Sequence, residues 1–181
     1  MEYGFKKMII LGIDPGIATV GWGVVSLEKG CFRYIDCGTV NTSAGTRVER
    51  RLFLVHSAIK DIITRYTPDE ISIEELFFNS NQKTAINVAQ SRGVILLAAE
   101  ESRVPVFEYT PLQVKLAMVG YGRAEKKQVM EMTRMFLRLD KMPKPDDAAD
   151  ALALAICHGH SRSSKMRDLN TIKYSKKTGG N

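Results

Sequence analysis

Three acidic positions stand out because of the apolar or alanine-rich sequence around them. Asp14 closes the run Ile9-Ile10-Leu11-Gly12-Ile13 and is followed at once by Pro15-Gly16. A lone carboxylate ending a buried strand is costly unless donors or a cation compensate it, and a cap on the Pro-Gly turn is the alternative without chemistry. Glu74 has the same character after Ile71-Ser72-Ile73. Strand alternation turns Glu74 and Glu75 to opposite faces, so only one of them joins a given site. The third position lies in Asp146-Asp147-Ala148-Ala149-Asp150-Ala151-Leu152-Ala153, where Asp147 and Asp150 are three apart and share one helix face. Asp146 suits the N-cap, and an acidic first turn is favoured by the helix dipole. Like charges at this spacing nevertheless repel, and the small alanines around them leave room for close backbone approach. The pair fits a cation site better than a cap.

Four carboxylates on three separate elements, with no HExxH pattern, suit hard, oxygen-preferring ions such as Mg²⁺ or Mn²⁺ better than zinc. Two such ions about 3.5–4 Å apart can activate a water and stabilise the leaving oxygen of an in-line displacement. Phosphodiester hydrolysis by that route needs no covalent nucleophile. Cys157, His158 and His160 are too crowded at one helix end to form a standard structural zinc site.

The elements that must position the acids follow from period and punctuation. Met8 to Asp14, Trp22 to Leu27 and Cys31 to Val40 read as strands of an antiparallel meander around Gly30. Cys31 and Cys37, six apart in one strand, are expected to share a face and pack. From Thr46 to Tyr66 the apolar residues Val48, Leu52, Val55, Ile59, Ile62 and Ile63 take helical spacing, and Pro68 ends the run. Ile71 to Leu76 is a fourth strand and Val106 to Tyr109 a fifth. Between them, Gln82 to Ser102 is a helix whose apolar residues cover more than one core contact requires, which leaves a second face for a partner. Pro111 opens a further helix that Gly120 and Gly122 break, Glu125 to Leu139 forms the next, with Met130, Met132 and Met135 as core filling, and Asp146 to His158 is the last. The sum is an α/β fold, a mixed five-stranded sheet with helices on both faces.

Length and composition agree with that reading. A chain of 181 residues with 44% hydrophobic and 25% charged content is one globular domain by default. Its apolar runs fall far short of the roughly 20 residues that cross a bilayer. Three cysteines cannot all pair within the chain, and residues 1–7 lack a signal-peptide core, which together point to the reducing cytoplasm. The net charge is +6, and residues 162–181 hold six basic side chains against Asp168 alone, so most of the excess belongs to this tail. The expected division is a folded domain over 8–160 and a basic, disordered tail over 161–181. Nucleic-acid contact and a merely solvated terminus both remain open for that tail.

Taken together, Gly12-Ile13-Asp14-Pro15-Gly16, Ile73-Glu74-Glu75-Leu76-Phe77, Gln90-Ser91-Arg92-Gly93, Val106-Phe107-Glu108-Tyr109, Gln113-Val114-Lys115, Ala124-Glu125-Lys126 and Asp147-Ala148-Ala149-Asp150-Ala151-Leu152-Ala153 closely resemble the RuvC family of Holliday junction resolvases. Each motif is weak alone, but their order and separations over about residues 8 to 160 are specific. The resemblance implies an RNase H-like fold, a homodimer, a four-way DNA junction as substrate, and paired symmetric nicks. It places Asp14, Glu74, Asp147 and Asp150 on the four catalytic, metal-binding acidic positions, with two Mg²⁺ per subunit that Mn²⁺ can replace, and with a branch-migration helicase complex as a further partner. Lys115 and Lys126 match basic positions used against backbone phosphates, contacts that position DNA without reading its sequence. Arg123 and Lys127 extend that patch or merely solubilise a helix turn. Phe77 is the ring expected to stack on a freed base, while Phe78 packs inside.

Two competing functions come from other classes. An actin-like ATPase lobe is suggested by Asp14-Pro15-Gly16 and Asp36-Cys37-Gly38-Thr39, each resembling a phosphate-loop strand turn, but the chain has length for one such lobe only. A non-catalytic junction-binding module would tolerate loss of all four acids.

Overall fold

The computed structural model describes residues 7–76 and 82–162, the side chains of 82–84 excepted. Phe77, Phe78 and the segment 163–181 lie outside the described residues. Five strands form one sheet in the order β3-β2-β1-β4-β5. The expected meander is β1 (Met8–Asp14), β2 (Thr19–Glu28) and β3 (Cys31–Asn41), all antiparallel, while β4 (Glu70–Glu74) joins β1 in parallel and β5 (Val106–Tyr109) joins β4 in parallel. The β2–β3 hairpin turns on Lys29 and Gly30, with φ of 51° and 78°. Both lie in the left-handed region that a two-residue turn between twisted strands requires, and glycine adopts it without a Cβ penalty.

Period-2 alternation divides the strands between two cores. Leu11, Ile13, Val24, Ile71 and Ile73 face α1 (Val48–Tyr66) and α2 (Gln82–Glu101), meeting Val55, Ile59 and Ile95. Ile10, Val25 and Phe32 face the other way, toward Leu152 and Ile156 of α5 (Asp146–Ser161). Beside α5 pack α3 (Pro111–Val119) and α4 (Lys126–Leu137). Helices therefore cover both faces, as expected. Pro111 does open α3: Thr110 Oγ1 accepts from the Gln113 amide at 3.1 Å, and Gln113 Oε1 accepts from the Thr110 amide at 2.8 Å, a reciprocal cap. Among the described residues no helix is long and apolar enough to cross a membrane.

Four expectations fail, each for a local reason. Tyr34 pairs with Val25 and Asp36 with Val24, so Ile35 is an extra residue in β3. This bulge reverses the alternation beyond it. Cys37 consequently packs in the same cluster as Phe32, while Cys31 lies exposed on the opposite side. Met135 is 56% exposed rather than core filling, because the buried stripe of α4 runs through Val129, Thr133 and Leu137. Pro145, not Asp146, is the N-cap of α5, and Asp146 falls in its first turn. Asp36 to Thr39 lie within β3 rather than at a strand turn, and the Asp36 carboxylate accepts a hydrogen bond from the Tyr66 hydroxyl. That removes the second phosphate loop an ATPase lobe would need.

Candidate active site

β1 ends on Asp14 and its parallel neighbour β4 ends on Glu74, one residue beyond the Ile13–Ile73 pair, so the two carboxylates emerge side by side at the C-terminal ends of two interior strands. Asp14 is also paired with Gly21 of β2. α5 crosses above these strands at backbone contact. A Cβ on Gly21 would lie 2.1 Å from the Asp147 carbonyl oxygen, one on Gly12 would lie 1.9 Å from that of Ala151, and one on Gly23 would lie 2.7 Å from Leu152 Cγ. Three glycines beneath a helix of alanines thus bring Asp147 and Asp150 down to Asp14 and Glu74. The helix signal was legible in the alanines. The glycines opposite them were not recognised as its complement.

Electrostatics report how close the four acids come. The Asp14 carboxyl is pushed up to about 8, first by burial and then by the charges of Glu74, Asp150 and Asp147 together with a hydrogen bond to Glu74. Glu74 is also raised, chiefly by burial, with the hydrogen bond from Asp14 opposing the shift. Asp14 accordingly keeps its proton and donates it to Glu74, since two carboxylates sharing a buried site cannot both ionise at low cost. On the other wall, Lys126 Nζ lies 2.7 Å from Asp150 Oδ2 and 3.8 Å from Asp146 Oδ2, and its ammonium is held above the usual lysine range by the bond to Asp150. A shared proton and an ammonium therefore offset only part of the negative charge. Among the described residues no three Asp, Glu, His or Cys side chains converge tightly enough to ligate one ion as they stand. The donor set is nevertheless all oxygen, its charge is under-compensated, and replacing the proton and the ammonium by divalent cations relieves both strains.

Glu74, Asp150, Lys115 and Lys126 line one cavity of about 220 Å³, floored by Val114, Val129, Ala153 and Leu154. Lys115 and Lys126 are thus brought to the acids. Arg123 and Lys127 are exposed and do not line that cavity. Cys157, His158 and His160 do not converge: His158 is bonded to Glu70 and Tyr109, whereas His160 lies between the rings of Phe32 and Phe136.

Two supports escaped the sequence reading. Buried Ser91 of α2 donates its hydroxyl to the Gly16 carbonyl at 2.7 Å, tying down the turn that follows Asp14. Arg92 beside it pairs with Glu108 of β5. Gln90-Ser91-Arg92-Gly93 and Val106-Phe107-Glu108-Tyr109 carried the family resemblance, but the sequence assigned no support role to Ser91, Arg92 or Glu108.

Over residues 10–158 the chain matches the family model described as crossover junction endodeoxyribonuclease RuvC. The protein of that name from Clostridioides difficile is 58% identical over 154 residues, 85% of this chain and 91% of its own. The one from Caldanaerobacter subterraneus is 54% identical over 160 residues, 88% and 97% of the two chains. Thermus thermophilus RuvC superimposes with a TM-score of 0.82 at 38% identity, covering 86% of this chain and 96% of that one. The T. thermophilus protein in complex with Holliday junction substrate gives 0.83 at 36%, covering 86% and 94%. A yeast mitochondrial Holliday junction resolvase at 13% identity shares the fold, with a TM-score of 0.65. With more than half of the aligned residues identical over nearly the whole length of bacterial relatives, and with the same five-stranded RNase H-like sheet, the chain belongs to the RuvC family of crossover junction endodeoxyribonucleases.

Proposed function

We propose that the protein resolves Holliday junctions by paired symmetric nicks and that Asp14, Glu74, Asp147 and Asp150 hold two divalent cations per subunit for this purpose. Mg²⁺ is the ion of the cytoplasm, and Mn²⁺ can take its place. The observation that carries the reading is the convergence of the four acids: the α5 backbone rests on Gly12 and Gly21 beside Asp14, and the charges of Glu74, Asp150 and Asp147 all act on the Asp14 carboxyl. Bound there, the cations supply Lewis-acid activation of the attacking water and of the leaving oxygen in an in-line displacement.

The chain's own groups do the remainder. Asp14 releases the proton it shares with Glu74 when the site is loaded, and Lys126 exchanges Asp150 for a backbone phosphate. Lys115, across the same cavity, takes a neighbouring phosphate, and exposed Arg123 and Lys127 extend the positive track. Phe77, three residues beyond Glu74, stacks on a base freed at the crossover. Two nicks related by symmetry need two such sites, which a homodimer supplies. Ile86 and Leu97, 57% and 51% exposed on α2, are the apolar residues that a second copy covers. Delivery of the junction by a branch-migration helicase complex is part of the same reading, and the basic tail over 161–181 adds a second, sequence-independent hold on the DNA arms.

The test is a synthetic four-way junction incubated with and without Mg²⁺, with nick positions read on every strand. Symmetric nicks on two opposed strands, lost in EDTA and restored by Mg²⁺ or Mn²⁺, are expected. Cleavage that survives exhaustive chelation, or that survives Asp14→Asn and Asp150→Asn, overturns the reading. Binding without any cleavage would leave the protein a junction-binding module.

A further inference from the structure

On the far half of α5, His158 is buried at 1% exposure and is bonded on both ring nitrogens. Nε2 lies 2.5 Å from Glu70 Oε2 on β4, and Nδ1 lies 2.8 Å from the Tyr109 hydroxyl on β5. A carboxylate accepts only, so Nε2–H donates to Glu70. The Phe107 ring packs on the imidazole at a centroid distance of 4.5 Å. Nothing in the proposed chemistry uses this cluster. Its position along the two elements, however, matches the active site closely.

Glu70 and Glu74 stand four residues apart on the same face of β4, a separation of about 13 Å. His158 and Asp150 stand eight residues apart on α5, a separation of about 12 Å. The two elements run in opposite directions here, so a helix pinned with His158 at Glu70 has Asp150 level with Glu74. Eleven residues separate His158 from Asp147, which returns Asp147 to within about 20° of the same helix face. The C-terminal half of α5 is interlocked with the strands, Phe32 filling the space over Gly159 and Leu152 and Ile156 packing with Ile10 and Val25. Where α5 lies on Gly12, Gly21 and Gly23, toward the end that carries Asp147 and Asp150, it meets the strands at backbone distance and no side chain rises from the glycines to enter a helix groove, so the level of the acids is set from the far half.

We propose that the Glu70–His158–Tyr109 cluster is a positioning clamp that sets the axial level and rotation of α5, and through it the metal affinity of Asp147 and Asp150. The inference rests on the four-acid reading above, and it concerns residues that touch neither metal nor DNA. Outer contacts that orient metal ligands typically govern affinity by 10–100-fold.

The experiment titrates Mn²⁺ into the DNA-free, full-length protein by calorimetry and measures junction affinity separately in EDTA. His158→Phe keeps the ring against Phe107 and removes both hydrogen bonds. It is expected to weaken Mn²⁺ binding at least about tenfold and to raise the Mg²⁺ concentration needed for cleavage, with the maximal rate recovered at saturating Mg²⁺ and metal-free junction affinity unchanged. Glu70→Gln still accepts from Nε2–H and is expected to retain Mn²⁺ affinity. If His158→Phe fails to fold, Tyr109→Phe carries the test, because it deletes one hydroxyl and leaves the imidazole in place; weaker Mn²⁺ binding is again expected. A folded variant with lower thermal stability but wild-type Mn²⁺ affinity overturns the clamp alone. Wild-type protein that binds no Mn²⁺ overturns the metal reading and the clamp with it.

Discussion

The Lys126 ammonium lies 2.7 Å from the Asp150 carboxylate, inside the cavity that Asp150 shares with Glu74, and not out on the free face of α4. Both side chains keep solvent access, 56% and 32%, so this pair adds little to stability. Its consequence is local charge. An ammonium at that position occupies space and field that a divalent cation would use, and on the proposed reading it swings to a phosphate when DNA enters. Lys126→Ala is therefore expected to tighten Mn²⁺ binding to the DNA-free protein while weakening junction binding and lowering its salt slope by about one unit. Lys115→Ala should lower the slope alike, without the gain in metal affinity. Fluorescence anisotropy across a salt series, beside a metal titration, checks both.

The raised carboxyl of Asp14 makes stability depend on pH in a defined direction. Between the ordinary value of 3.8 and about 8 the folded protein holds a proton that the unfolded chain has released. Stability therefore falls as pH rises across this window, and the stabilising contribution is fully present only below it. Asp14→Asn removes the dependence. In metal-free protein at pH 8 the variant is expected to be more stable by about 2 kcal/mol, roughly 4–8 °C in Tm, with the difference vanishing near pH 4. A melting series in EDTA from pH 4 to 8 tests it; a variant less stable at every pH contradicts the shared-proton picture.

Gly12→Ala introduces a Cβ at 1.9 Å from the Ala151 carbonyl oxygen. Neither partner is a flexible side chain, so α5 must lift. Overpacking of this kind typically costs about 1–3 kcal/mol, and the loss is expected at the upper end, with Tm lower by roughly 6–12 °C. Because the lifted helix carries Asp147 and Asp150, cleavage should fall further than stability does. Equal Tm for variant and wild type would show that the helix does not rest on β1.

Light scattering at micromolar concentration should report about 40 kDa for wild type, twice the 20.2 kDa chain. Leu97→Glu places a charge on the 51% exposed position of α2 and is expected to halve that mass without lowering helix content. An unchanged dimer moves the interface away from this face.

Phe77→Ala is expected to fold and dimerise normally but to cleave a fully paired junction poorly, because base–aromatic stacking of roughly 1–3 kcal/mol no longer offsets unstacking at the crossover. Mismatches that pre-open the junction centre should restore the rate. Phe78→Ala should instead lower Tm. If Phe77→Ala is the unstable variant and mismatches restore nothing, the stacking role belongs elsewhere.

The acids, the strands and the start of α3 were determined by the sequence itself, because each is written in neighbouring residues. A carboxylate ending Ile9-Ile10-Leu11-Gly12-Ile13 has no local reason to be there, apolar period separates strand from helix, and Pro111 after Thr110 announces a first turn. The tertiary structure alone decided what depends on contact through space. One extra residue at Ile35 puts Cys31 and Cys37 on opposite faces, since a bulge leaves composition and period almost unchanged while inverting every later side chain. Lys126 turned into the acidic cavity because α4 packs beside α5, a fact absent from its own helix pattern. Glu70 and His158 are 88 positions apart, and nothing in the residues around either one points to the other. Only when α5 lies on glycine-lined strands do equal spacings on a strand and a helix bring both ends of the contact into line.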